Sequence, residues 1–491
     1  MKVFRKKEPA PVSAKRPTVP EIIDRLGFGL AQVRAVLLGG GVWLADGAEL
    51  LLISTVTRAV SEEWGLTAYE RGMVVTMVFV GILAGNMASG PLGDTFGRKQ
   101  LIIASYVGIF IFSILSSYSS SFYALACIRL FVGAAFGIGQ PAWTALSSEV
   151  TPSRWRIAAN SASMSLFTIG EVYSGLIIFF EDPEMEVLDW RWLLRIGAAP
   201  SLVCLVLAYF FLHQSPLYLA LHGKPDEARE VLESMRRQNG EDASTDFEPP
   251  EEVSQSVTFW EKVNKQVSIV LGDHLLVSTL IIIYTCFMLN LCFYGCLYAF
   301  PQVLPNLEMA SSPAVQLLIG AAWEVPGLAV GLAVGLTMSR KLAMHIYGLS
   351  MLSALVAFVF GIHGDPTGFW SQVALHYGYY GIKAYVMIGF IVVYQYASEI
   401  YPTEARITGT AVNIAGGRLA GIIAPLLFEL LLKHTGHFDS FFMLIAAMLS
   451  FNILLFNFLP FETANMPLSD RLHDNYGAAM EATASDKAGS A

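Results

Sequence analysis

The chain has 491 residues, of which 54% are apolar and only 14% are charged. A soluble domain carries about 25% charged residues, and the mean hydropathy of +0.53 also lies on the apolar side. These values exclude a disordered chain, collagen, a coiled coil and a small disulfide scaffold, and they favour a membrane protein with many spans. The net charge of −9 argues against nucleic acid as a partner.

The first thirty residues are basic and lack the apolar core of a signal peptide. A helix that crosses a bilayer needs about 20 apolar residues. Twelve stretches meet that length, at 34–58, 71–91, 100–118, 122–147, 158–180, 192–212, 275–300, 313–337, 342–362, 371–397, 407–432 and 438–460. The sequence therefore predicts twelve membrane-spanning helices embedded in lipid.

Most of the 31 Lys and Arg residues fall in the N-terminal tail, the even-numbered loops and the C-terminal tail. Since basic residues stay on the cytoplasmic side, we expect both termini to be cytoplasmic. We expect five regions, which are a tail (1–33), a six-helix bundle (34–212), a cytoplasmic loop with a short helix (213–274), a second bundle (275–460) and a C-terminal tail (461–491). In that loop, Pro225 favours a helix start and Asn239-Gly240 a helix end.

The two halves share a motif. Ser148-Glu149-Val150-Thr151-Pro152-Ser153-Arg154-Trp155-Arg156 follows the fourth helix, and Ser398-Glu399-Ile400-Tyr401-Pro402-Thr403-Glu404-Ala405-Arg406 follows the tenth, at a constant offset of 250 residues. Repeated halves of this kind are typical of alternating-access transporters, which place their site between the halves.

A glycine-rich loop lies between the second and third helices. It reads Gly90-Pro91-Leu92-Gly93-Asp94-Thr95-Phe96-Gly97-Arg98-Lys99 and resembles the signature of the major facilitator superfamily, with Thr95 where a basic residue is usual. Glycines permit a tight turn, and a carboxylate there can bind an arginine or a helix N-terminus. The corresponding Arg340-Lys341 loop keeps only the basic pair, so we expect a weaker contact in the second half.

We interpret this loop and the repeated motif as a gate. The candidate gating residues are Gly90, Asp94, Gly97, Arg98, Lys99, Glu149, Arg156, Glu399 and Arg406.

Arg129-Leu130-Phe131-Val132-Gly133 resembles the R-x-x-x-G segment of the same superfamily. Other segments resemble narrower groups. Asp189-Trp190-Arg191-Trp192 and Ser215-Pro216-Leu217-Tyr218-Leu219 are similar to segments of sugar-porter-like and synaptic-vesicle-2-like members. The Glu399–Arg406 motif, followed by Gly416-Gly417-Arg418-Leu419-Ala420-Gly421, is most similar to the synaptic-vesicle-2-related and niacin-permease-like transporters. The resemblance spans residues 30 to 460. It implies an all-α membrane fold of two pseudo-symmetric six-helix bundles.

The first helix carries Asp46 and Glu49, which lie one helical turn apart on one face. A similar pair occurs in synaptic-vesicle-2-related proteins and in aromatic-acid:proton symporters. Together with Glu171 on the fifth helix, these acids are our candidates for proton coupling. A charge at the bilayer centre costs at least about 2.5–3.5 kcal/mol, so such groups are expected to line a wet cavity or to pair with one another.

The remaining intramembrane charges suggest a binding site. We expect Arg129, Lys383, Glu324 and the neighbouring Trp43 to contact a substrate, with Lys383 or Arg129 holding a cargo carboxylate. Arg418, among glycines, is expected to be structural.

These features favour a secondary transporter that carries a small organic anion with a proton. An organic cation carrier, a sugar carrier and a non-transporting receptor or trafficking protein are the alternatives. We expect no enzyme activity, no cofactor and no metal, since neither a nucleotide-binding loop nor a metal-ligand spacing occurs. The host membrane is expected to be the plasma membrane or that of an internal vesicle.

Overall fold

The computed structural model describes residues 17–242, 244–247, 259–272, 275–401, 405–459 and 462–463. Most of the N-terminal tail, most of the C-terminal tail and positions 402–404 of the repeated motif lie outside these residues. The described residues form helices and two short 3-10 turns, with no strand among them. The all-α fold predicted from the sequence is confirmed.

The first half contains helices of two kinds. Short helices lie at its ends and long ones cross the bundle: α1 (Val19–Leu26), α2 (Leu30–Gly39), α3 (Gly41–Trp64), α4 (Ala68–Phe96), α5 (Arg98–Ser116), α6 (Phe122–Val150), α7 (Arg156–Glu181), α8 (Trp190–Gly197) and α9 (Ala199–Phe211). Helices α2 and α3 form one continuous span, as do α8 and α9.

The second half follows three short helices. These are α10 (Pro216–Leu221), α11 (Pro225–Asn239) and α12 (Phe259–Val270), and they lead to the long helices α13 (Leu276–Val303), α14 (Pro313–Thr337), α15 (Arg340–His363), α16 (Phe369–Glu399), α17 (Arg406–Thr435) and α18 (Asp439–Phe456). Helix α11 begins and ends at the residues that the sequence predicts, and Gly240 follows it with φ of 71°.

Eleven of the long helical segments among the described residues are apolar enough to cross a membrane. The twelfth long helix, α16, falls short because Lys383, His376 and several tyrosines lower its mean hydropathy. Helix α16 nevertheless packs between α14 and α15 inside the second half. A polar helix in that position is shielded from lipid by its neighbours. Charged residues within membrane proteins are usually found in such interior positions.

Each half has its own packing. In the first half α3 packs on α7 and α6 packs on α4 and α5, while in the second α13 packs on α17 and α16 packs on α14 and α15. The halves meet where α4 contacts α17, α7 contacts α14 and α3 contacts α13.

The two ends of the bundle differ. One, which we call the loop face, carries α1, α10, α11 and α12 with the turns at Gly97 and Ser339. The other, which we call the far face, carries the turns between α3 and α4, α7 and α8, and α13 and α14. A path between the halves would therefore open at the loop face at one end and at the far face at the other.

On the loop face, one side chain joins α1 and α2 to α11. The Asn239 side chain accepts a hydrogen bond from the backbone N–H of Ala31 and donates to the carbonyl oxygens of Leu26 and Gly27 and to Gln32. Gln32 in turn donates to the carbonyl oxygen of Val150 at the end of α6.

We predict that Asn239→Ala loosens this attachment. Its four contacts are lost, and unsatisfied partly buried groups cost about 1–3 kcal/mol. The expected result is a lower melting temperature in detergent and faster hydrogen exchange over residues 17–32. Gln238→Ala is the matched control, because Gln238 donates to Ser234 of its own helix. Equal behaviour of the two variants would contradict this role for Asn239.

Candidate functional site

Close packing of α3 on α7 sets the level of the acidic residues. An ideal Cβ at Gly47 would lie 2.1 Å from the carbonyl oxygen of Phe167, and one at Gly170 would lie 2.1 Å from that of Leu44. Only glycine leaves room for backbones this close, as is common between membrane helices. The contact fixes Gly170, and with it the neighbouring Glu171, at the depth of Leu44 and Gly47 on α3.

The two carboxylates of α3 have different partners. Glu49 accepts a hydrogen bond from the Nη1 of Arg129 on α6 at 2.6 Å, and both side chains are almost completely buried. Asp46, also buried, accepts from the amide Nε2 of Gln140 at 2.7 Å. Glu49 is therefore neutralised by a direct cation, whereas Asp46 is held by an uncharged amide.

A chain of hydrogen bonds continues from Asp46 into the second half. The Oε1 of Gln140 accepts from Arg418 on α17 at 3.0 Å, and Arg418 donates to the hydroxyl of Tyr294 on α13 at 2.9 Å. Arg418, which the sequence predicts to be structural, thus links the two halves beside the acidic pair.

A second cluster joins the halves more directly. The Nζ of Lys383 on α16 lies 2.6 Å from an oxygen of Glu171 on α7 and 2.5 Å from an oxygen of Glu324 on α14. The hydroxyl of Thr168, also on α7, donates to the other oxygen of Glu324 at 2.7 Å. All four side chains are buried. Two carboxylates from opposite halves therefore share one ammonium group.

The ionised site carries an excess negative charge. Four carboxylates face three cations in the two clusters, namely Asp46, Glu49, Glu171 and Glu324 against Arg129, Lys383 and Arg418. The imbalance lies at Lys383, because Glu49 has Arg129 to itself. Buried charge of one sign is costly unless it is compensated, so this place is suited to a cation or a proton.

Aromatic rings fill the space between the clusters. The Nζ of Lys383 lies 5.8 Å from the ring centroid of Phe293. That ring contacts Phe167, Tyr294 and Phe390, with centroids 4.9–5.5 Å apart. Aromatic faces attract cations in a desolvated setting, so the walls of the site match its charge.

In the structure, the residues predicted to bind an anion have partners within the chain itself. Arg129 and Lys383 are paired with carboxylates of the chain itself, so neither is a vacant anion site in this conformation. Glu324 stands in a helix that continues through Pro326. Trp43 is half-buried in the hydrophobic core, and among the described residues no hydrogen bond or ring contact joins it to the clusters.

Four contributors were missed in the sequence, namely Gln140, Thr168, Phe293 and Tyr294. None of the four is charged, so none stands out as a charge within an apolar segment. The position of Gln140 directly before Pro141, inside a glycine-rich stretch of α6, was the one usable signal.

On the loop face, residues predicted to gate the first half are in contact with one another. Arg98 lies 3.3 Å from Asp94 and 3.1 Å from Glu149, and it donates to the carbonyl oxygen of Gly93. Gly97, with φ of 88°, makes the turn that returns Arg98 toward Asp94. Gly90 has open space around it, Lys99 donates to the carbonyl oxygen of Tyr209, and Arg156 donates to that of Thr151.

The second half has an equivalent contact. Arg340 donates to both oxygens of Glu399, at 3.0 and 3.1 Å. Glu462 accepts from the backbone N–H groups of Arg340 and Lys341. Glu149 and Glu399, which are related by the sequence repeat, thus play the same part, and Arg406 begins the helix that follows. The sequence does not show that Arg340 and Glu399 meet, and the weaker contact expected in the second half stays a prediction.

On the far face, contacts between the halves close the bundle. Arg71 of α4 lies 2.6 Å from Glu429 of α17, whose other oxygen accepts from the hydroxyl of Tyr298. Gln302 donates to the carbonyl oxygen of Ser54, and the N–H of Ala314 donates to that of Pro183. This end is therefore held shut by polar contacts that must break if the halves separate there.

We predict that Arg71→Ala destabilises this closed end, since it leaves Glu429 buried without its cation. Removing one partner of a buried pair costs about 3–5 kcal/mol, and less here because Arg71 is 29% exposed. The melting temperature in detergent should fall, and Glu429→Gln combined with Arg71→Ala should recover part of the loss. Arg58→Ala is the control, because Arg58 pairs with the exposed Glu62 of its own helix. Equal loss in Arg58→Ala, or no recovery, would contradict this assignment.

The proteins to which this chain is similar are transporters. The model of the family described as "Sugar (and other) transporter" matches residues 47–471. The chain is 27% identical to the organic cation/carnitine transporter 7 of Arabidopsis thaliana, over 93% of this chain and 96% of that protein. It is 25% identical to the synaptic vesicle 2-related protein of Rattus norvegicus, over 94% of this chain and 84% of that one.

Among solved structures, the fold is similar to the inward-open xylose transporter XylE from E. coli, with a TM-score of 0.70 and 16% identity over 88% of this chain and 97% of that one. The matched family covers most of the chain, and the structural likeness covers both helical bundles. The chain therefore belongs to the sugar (and other) transporter family and is a multi-pass membrane transporter rather than an enzyme.

Proposed function

We propose that this transporter carries small organic cations and that Glu171 and Glu324 recognise the cationic group. The observation that carries the proposal is the sharing of one ammonium, that of Lys383, by two buried carboxylates from opposite halves. A cargo ammonium group supplies the positive charge that the second carboxylate lacks.

The walls of the site support the same cargo. Phe293 already receives the Lys383 ammonium on its face, and Phe167 and Phe390 lie against it. An alkylated ammonium gains both charge and apolar contact in such a setting. A relative that aligns along most of the chain is named as an organic cation/carnitine transporter.

The cargo would couple to alternating access through the two helices that bear the acids. Glu171 lies on α7 of the first half and Glu324 on α14 of the second. A cation bound between them makes contacts that depend on the separation of the halves. A ligand shifts a conformational equilibrium only through such differential contacts, and the far-face contacts between the halves are the ones that would break when the halves separate there.

Carboxylate cargo, the leading hypothesis from the sequence, requires more rearrangement. Lys383 and Arg129 would have to leave Glu171, Glu324 and Glu49 before holding a cargo carboxylate. Once these cations leave, the buried carboxylates that they now stabilise would have to be protonated. The geometry therefore favours a cation over an organic anion.

Proton coupling is assigned to Asp46. Its Oδ2 accepts from a neutral amide, and its buried Oδ1 has no hydrogen-bond partner among the described residues. A proton can therefore bind Asp46 without breaking a direct ion pair, whereas Glu49 and Glu171 hold cations. The hydrogen bonds through Gln140 to Arg418 carry the change to the second half.

The orientation follows from charge. We assign the loop face, with its basic residues, to the cytoplasm, together with both termini, and we retain the five regions of the sequence analysis as the domain organisation. The host membrane is the plasma membrane or that of an internal vesicle.

We predict that proteoliposomes with the wild-type protein take up tetraethylammonium in preference to nicotinate or xylose. Glu171→Gln and Glu324→Gln should each weaken uptake about tenfold or more, which corresponds to about 1.4 kcal/mol for a lost charge contact. The matched control is Glu62→Gln, an exposed acid on α3. Preferential nicotinate uptake would sink the cation hypothesis.

Lys383→Met separates the two hypotheses further. Without Lys383, the carboxylate pair should be less stable alone and more dependent on cargo, so tetraethylammonium should raise the melting temperature more than in wild type. If Lys383 instead holds an anion, the same variant should lose all response to nicotinate while its response to the cation stays unchanged.

For proton coupling, Asp46→Asn should retain cation binding, measured by thermal shift, and lose the difference between uptake at acidic and at neutral pH. The amide keeps the size of the side chain but cannot change charge. Glu49→Gln is the comparison, since it removes the partner of Arg129 and should lower stability. An unchanged pH dependence in Asp46→Asn would exclude Asp46 as the proton carrier.

A further inference from the structure

A cleft on the loop face lies apart from the central site. Helices α2, α6 and α11 and the chain just beyond α9 line a small cleft that is partly open to solvent. Its walls are apolar on most sides and basic at one edge, and the lining residues used below are Arg34, Leu146, Phe211, His213, Val231 and Met235.

The basic edge lacks an acidic counterpart. Arg34 is only partly exposed, and no carboxylate or other acceptor pairs with it among the described residues. Nearby Lys99 donates to the carbonyl oxygen of Tyr209 at 3.4 Å rather than to an acid. On α11, Glu233 is held by Arg236 of the same helix at 2.7 Å.

His213 lies close to the positive charges of this edge. Burial, followed by the charges of Arg34 and Lys99, lowers the pKa of this imidazole to about 4. The ring is therefore neutral near pH 7, and its Nε2 lies 3.2 Å from the hydroxyl of Ser234. When Ser234 donates to Nε2, Nδ1 carries the proton and is a donor for an anion beside Arg34.

The apolar walls show what else the ligand carries. Leu146, Phe211, Val231 and Met235 line the rest of the cleft. Phe211 ends the lipid-facing helix α9, whose exposed apolar side chains continue away from the cleft: Val203, Val206, Leu207 and Phe210. The cleft therefore lies where a span ends, which is the level of lipid headgroups.

We propose that this cleft binds an anionic headgroup, a phosphate carried by an apolar chain, through Arg34 and His213. An anionic lipid fits both the basic edge and the apolar path along α9. Free phosphate shares the headgroup chemistry but not the tail. The occupant would contact α2, α6 and α11 together, and so brace α11 against the half that carries Asp46 and Glu49.

The test is thermal melting of the full chain in an uncharged detergent, with phosphatidylglycerol, phosphatidylcholine or inorganic phosphate added. Phosphatidylglycerol should raise the melting temperature of the wild type more than phosphatidylcholine does. Arg34→Gln should weaken the apparent affinity for phosphatidylglycerol at least tenfold. Arg25→Gln, which removes an exposed arginine of α1, should respond as wild type does.

Each outcome decides the proposal. Stabilisation by phosphate alone that is lost in Arg34→Gln supports the anion site and assigns it to a free anion. An equal response of the wild type and Arg34→Gln overturns it. Photo-crosslinking of the wild type with a diazirine-bearing phosphatidylglycerol needs no variant: labelling of residues 31–35 and 211–213 supports the proposal, and labelling confined to other surfaces overturns it.

Discussion

The placement of charge inside an apolar bundle is the constraint on which the rest of the structure depends. An isolated charge at membrane depth is expensive, and this chain buries the carboxylates Glu171 and Glu324 on opposite sides of the interface between its halves. The ammonium of Lys383 reaches both. The same contact compensates the acids, ties the halves together and leaves one negative charge over. If the proposed function is right, stability and cargo recognition rest on one set of atoms, and any cation that enters must compete with Lys383.

The two faces of the bundle complement this centre. On the far face, Arg71 and Glu429 join the halves across their interface. On the loop face, Arg98 with Glu149 and Arg340 with Glu399 lie each within one half. The halves are therefore bound to each other at the centre and the far face, and braced internally at the loop face. This difference is expected of a structure that is closed at the far face. The Arg71–Glu429 pair must break before the halves can separate at that face.

The fold could be predicted well from the sequence because membrane spans are recognised by their length and apolar composition. The sequence also predicted which charges lie at depth, since each is an exception to that apolarity. It could not predict their partners: Lys383 and Glu171 are 212 residues apart, and their meeting depends on how α16 and α7 pack. The same limit explains Arg340 and Glu399. Thr168 and Phe293 carry no charge and are no exception to that apolarity, and Gln140 was marked only by its position before Pro141. Pairing, rather than residue type, decides whether Lys383 is an anion site or a resident cation.

The most direct test of the account is an experimental structure of the protein with tetraethylammonium bound. We predict that the cation lies between Glu171 and Glu324, against the ring of Phe293, with the ammonium of Lys383 withdrawn from at least one carboxylate. A structure in which Lys383 keeps both carboxylates while the cation binds elsewhere would contradict it.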